Sequence, residues 1–95
     1  MTIKEKIMKI MSLALEINPP EIEDIGKKTT AVFVRWSPHC NRLDVTIYED
    51  HWDIRKEESE RIYLYASWDD ANEKLDAIIA RLEEIREETD KGDAL

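Results

Sequence analysis

Apolar residues recur at helical spacing from the start of the chain. Ile3, Ile7, Ile10, Ala14 and Ile17 follow at intervals of 4, 3, 4 and 3, which marks one side of a helix with 3.6 residues per turn. Met8, Met11 and Leu15 widen the stripe, and the reading is a broad apolar face that packs inward. Thr2 stands three residues ahead of Glu5. At that spacing a hydroxyl and a carboxylate each satisfy a free amide of the first turn, so the helix is predicted to begin there. Asn18-Pro19-Pro20 stops it, because proline has no amide hydrogen to donate and its ring clashes with the preceding turn.

After a charged connection over residues 19–28, the period changes from helical to alternating. TTAVFVRW, residues 29–36, is rich in β-branched and aromatic side chains and reads as a strand. Ser37-Pro38-His39-Cys40-Asn41 supplies turn residues, and RLDVTIYE, residues 42–49, alternates apolar and polar as a second strand of a hairpin. Residues 50–59 have no clear period and form a connection longer than a tight hairpin needs. RIYLYAS, residues 61–67, is a third strand. Ser67 is read as the cap of a second helix, with Asp70 at the box position, and Ala71, Leu75, Ile78, Leu82 and Ile85 repeat at 4, 3, 4 and 3 with Ile79 alongside. Gly92 is its stop or the start of a frayed tail. The order is α-β-β-β-α, an α+β fold in which a three-stranded antiparallel meander carries two helices on one face. A single domain is expected over residues 1–92, with a frayed tail at 93–95.

Alternation also assigns the two faces of the sheet. Leu43, Val45 and Ile47, with Ile62, Leu64, Ala66, Val32, Val34 and Trp36, point to the helices. Phe33, Tyr48, Tyr63 and Tyr65, with Arg35 among them, are left on the outer face. An aromatic patch of that kind marks an association or ligand surface, and face-to-face pairing of two copies is the simplest association. For a nucleotide ligand, Arg35 supplies charge and the tyrosines or Trp52 supply stacking. His39, Asn41 and His51, in the turn and the long connection, add polar contacts.

Composition narrows the classes. The 95 residues include 22 Asp plus Glu against 14 Lys plus Arg, a net charge of −8. With 42% hydrophobic residues, two Gly and three Pro, the chain has the apolar surface of a folded domain. Its core is small enough that a homodimer or higher oligomer is expected. No apolar run is long enough to span a membrane, and no signal-peptide block is present, so a cytoplasmic protein is expected. Cys40 is the single cysteine and has no disulfide partner within the chain. His39, Cys40, His51, Asp50 and Asp53 lack metal-ligand spacing, and no Gly-rich phosphate loop or nucleophile motif occurs. No metal, cofactor or enzymatic activity is therefore expected. The negative charge disfavours polymeric nucleic acid, while a single nucleotide needs only a few cations and an aromatic shelf. Residues 68–91 carry nine acidic side chains against four basic ones. Glu83, Glu84, Glu87 and Glu88 form a strip suited to a basic partner protein.

The run TAVFVRWSPHCNRLDVTIYEDHW after an Ile-rich helix resembles a group of short proteins encoded by phages and prophages of Firmicutes. The resemblance rests on VFVxW, the His-x-Asn turn, and LxVxIY with a Trp shortly after. It implies an origin and, because small acidic phage proteins are often counter-defence factors, a non-enzymatic role in the host cytoplasm. Two versions are expected: capture of a host defence protein, or sequestration of a nucleotide signal. The alternative is a homo-oligomeric structural or assembly component with no inhibitory role.

Overall fold

The computed structural model describes residues 1–18, 30–48 and 60–93, with side chains as far as residue 88. Both connections, and with them His51 and Trp52, lie outside the described residues, as do residues 94–95. Helix α1 spans Ile3–Ile17, strands β1, β2 and β3 span Ala31–Ser37, Arg42–Tyr48 and Glu60–Tyr65, and helix α2 spans Ala71–Asp93. The order is the α-β-β-β-α of an α+β fold. The sheet is an antiparallel meander, β1-β2-β3.

The capping box at the head of α1 is formed. The Thr2 amide donates to Glu5 Oε1 at 3.0 Å and the Glu5 amide to Thr2 Oγ1 at 3.1 Å. On β2, Leu43, Val45 and Ile47 are fully buried. They join Leu64, Ile10, Leu13, Ile17 and the α2 residues Ala71, Leu75, Ile78, Leu82 and Ile85 in one core. Both helices thus cover the same face of the sheet.

Three sequence expectations are corrected. Met8, Met11 and Leu15 do not pack inward; they are 59%, 37% and 58% exposed. The core-facing stripe of α1 centres on Ile10, Leu13 and Ile17, and its wider flank projects past β1, beyond the layer that covers it. The third strand stops at Tyr65 instead of Ser67, because the chain turns there: the Trp68 amide donates to the Tyr65 carbonyl and the Ala71 amide to the Trp68 carbonyl. Ser67 is consequently not the cap of α2. The Asp70 carbonyl accepts the Lys74 amide at 3.0 Å, which places Asp70 at the cap position.

Ion pairs join the helices. Lys6 Nζ lies 2.9 Å from Asp76 and Arg86 Nη1 lies 2.7 Å from Glu16. In each pair the α2 residue follows its α1 partner by 70 positions, so the two helices run parallel. Arg81 ties α2 to the start of β3 through Glu60 at 2.8 Å.

Candidate ligand-binding face of the sheet

Strand register aligns the outer face in rows. Phe33 stands beside Thr46 and Arg61, Arg35 beside Asp44 and Tyr63, Ser37 beside Arg42 and Tyr65, and Ala31 beside Tyr48. The alternation that buries Leu43, Val45 and Ile47 turns these side chains to the other side.

Arg42 organises one half of this face. Its Nε donates to both Asp44 carboxylate oxygens, at 3.2 and 3.0 Å, and Nη2 to Asp44 Oδ1 at 3.0 Å. Nη1 reaches the Tyr65 hydroxyl at 3.3 Å. The guanidinium carbon lies 4.4 Å from the Tyr63 ring centre and 5.6 Å from that of Tyr65, within cation–π range. Hydrogen bonding to Asp44, and then to Tyr65, raises the Arg42 pKa above its ordinary value, so the group stays charged. Trp68 completes the cluster, 5.9 Å from Tyr63 and 5.3 Å from Tyr65, with Lys74 Nζ 5.5 Å over its ring.

The other half is more open. Phe33 and Tyr48 meet edge to face at 5.6 Å, and Arg35 and Arg61 are exposed. Among the described residues neither arginine has an ion-pair partner. A shallow cleft of about 690 Å³ runs over this half to the turn and is lined by Phe33, Arg35, His39, Arg42, Tyr48 and Arg61 among others. Among the described residues, three arginines against one aspartate make the face locally basic on a chain of net charge −8.

Of the residues expected in a site, Phe33, Arg35, His39, Tyr48, Tyr63 and Tyr65 are gathered here. Asn41 is not. It occupies the left-handed region at φ 54°, a conformation that asparagine tolerates. Its carbonyl accepts the Ala66 amide at 2.8 Å, and it borders a groove on the helix side of the sheet. The acidic strip lies on α2, across the molecule from the outer face. Glu83 is half-buried, Glu84, Glu87 and Glu88 are exposed, and Arg81 Nη1 comes within 3.7 Å of Glu84.

Arg42, Arg61 and Trp68 are the residues that sequence reasoning missed. Arg42 was within reach, since the parity that sets Asp44, Thr46 and Tyr48 outward does the same for it. Trp68 carried no such signal, because its placement depends on the turn before α2. Among the described residues no group of three or more His, Cys, Asp or Glu side chains converges on a metal position, and no helix is long and apolar enough to cross a membrane. The arrangement combines flat rings and fixed positive charge, which suits binding of an anionic aromatic molecule. Compared with known proteins, the chain matches no family model, no curated protein and no solved structure.

Proposed function

We propose that this protein is a non-enzymatic accessory factor that acts by binding a small nucleotide on the outer face of its sheet, sequestering a signal of a host defence. The observation that carries the reading is the concentration of Arg35, Arg42 and Arg61 with Phe33, Tyr48, Tyr63 and Tyr65 on one face of an otherwise acidic chain. Arg35 and Arg61, which no acid among the described residues neutralises, supply attraction for phosphate, and the rings supply a stacking surface. The phage-type resemblance of the sequence supplies the biological setting. Capture of a basic defence protein by the acidic strip is the weaker version, because Arg81 and Arg86 interrupt that strip.

Calorimetry with cyclic dinucleotides and ADP-ribose-type signals tests the reading. Binding by the parent, lost in Arg35→Ala and Arg61→Ala with the circular dichroism unchanged, supports it. A parent that binds none of these ligands overturns it. If activity against a defence system instead disappears when Glu84, Glu87 and Glu88 are changed to Lys, while sheet variants stay active, the protein-capture version takes its place.

A further inference from the structure

Among the described residues, strand β1 has a neighbouring strand on one side only. The Val32 amide donates to Asn18 Oδ1 at 2.7 Å and the Thr30 carbonyl accepts from Asn18 Nδ2 at 3.0 Å, so the backbone groups of these even-numbered residues point away from β2. Parity then aims the N–H and C=O of Val34 and Trp36 at the same open edge. Among the described residues they have no backbone partner there. Asn18 closes one end of the edge and leaves the stretch from Val34 to Trp36 able to pair.

Beneath that edge lies the exposed flank of α1. Two apolar concavities run along it, separated by Met11. One, about 570 Å³, is lined by Ile7, Met8, Met11 and Trp36 with others; the second, about 300 Å³, by Met11, Leu15, Val32 and Val34 with others. A free strand edge beside an uncovered apolar groove is a site for strand addition.

We infer that the occupant is a second copy of this chain, paired through antiparallel β1 edges about a two-fold axis at Val34. The register is self-complementary. Val34 exchanges both hydrogen bonds with its counterpart, and full pairing of each Trp36 with Val32 of the other copy requires the Asn18 side chain to give up the Val32 amide. On the outer face the same register sets each Arg35 opposite the other copy's Phe33, a cation against a ring in both directions. On the inner face the two α1 helices run antiparallel, with Met8 toward Leu15 of the other copy and Met11 near the axis. Charge favours this flank over α2. Among the described residues the acidic excess is on α2, whereas the β1–α1 flank presents Lys4 and Arg35, so two chains of net charge −8 meet away from that excess. The result is a continuous six-stranded sheet.

Light scattering at tens of micromolar, with two sets of variants, tests the inference. The parent is expected at twice 11.2 kDa. The exposed-site double substitution Met8→Glu with Leu15→Glu should keep the fold and weaken dimerisation by about a hundredfold or more, since charges would have to be buried. In a Cys40→Ser background, Val34→Cys should form an intermolecular disulfide under oxidation, because paired Cα atoms at the axis lie within bridging distance. Phe33→Cys should not, since it faces position 35. A monomeric parent overturns the inference. So does a dimer that survives the double substitution and is broken by Tyr63→Glu on the outer face.

Discussion

Arg42 and Tyr63 meet face-on across neighbouring strands, the guanidinium carbon 4.4 Å from the ring centre, with the Asp44 carboxylate holding the cation through its N–H edge. The Tyr63 ring is therefore held in place before any ligand arrives, which lowers the ordering cost of stacking a base on this face.

If a base stacks there, Tyr63→Ala should weaken nucleotide binding by roughly 5-fold to 150-fold, the range of about 1 to 3 kcal/mol that one aromatic platform contributes. Tyr63 is 46% exposed, but its ring also holds Arg42 and Trp68, so the melting temperature should fall by about 4–8 °C at most while the fold is kept. Calorimetry and thermal melting on the same samples check both halves.

Local basicity on one face does not extend to duplex binding. With a net charge of −8, the protein should fail to retain duplex DNA or generic RNA at physiological salt, because a polyanion needs many phosphate contacts and would meet the acidic helix as well. A salt-sensitive gel shift at submicromolar protein is the contrary result.

The core is tight at its centre. Leu75 and Leu43 are fully buried, and truncating either to Ala should cost about 2–5 kcal/mol. Urea denaturation followed by circular dichroism measures it, with an unchanged slope as the sign that the loss lies in the native state.

Thr2 and Glu5 make a pH-dependent contribution. The Thr2 backbone amide, then its hydroxyl, hold the Glu5 carboxyl below its ordinary 4.5. A carboxylate lowered in the folded state stabilises the fold above its unfolded value and loses that contribution as pH falls through the lowered one. Glu5→Gln should therefore flatten the stability profile just below pH 4.5 and leave no added dependence near neutrality. Thr2→Ala should cost about 1 kcal/mol at neutral pH.

The ends of α1 were legible because a capping box and a double proline bracket them, and the strand faces because alternation along β2 is strict. The α1 flank was not, since a stripe wider than one contact says nothing about how much of it the rest of the chain covers. Ser67 was misread because a competing turn through Trp68 uses the residues a cap would need. Within the site, the tyrosines and Arg35 follow from parity along single strands. The Arg42 clamp depends on which residue of β3 stands beside which residue of β2, a relation no local pattern encodes.

Tension applied through Thr2 and Glu88 meets the parallel course of α1 and α2 as shear. These residues lie at opposite ends of the helix pair, so force runs along the contact instead of prising it open. Lys6–Asp76, Glu16–Arg86 and the apolar layer around Ile10, Leu13, Leu75 and Leu82 share the load and yield together. An antiparallel pair gripped at the same two positions would open one turn at a time. The domain is built to rupture late and abruptly when stretched along its helices.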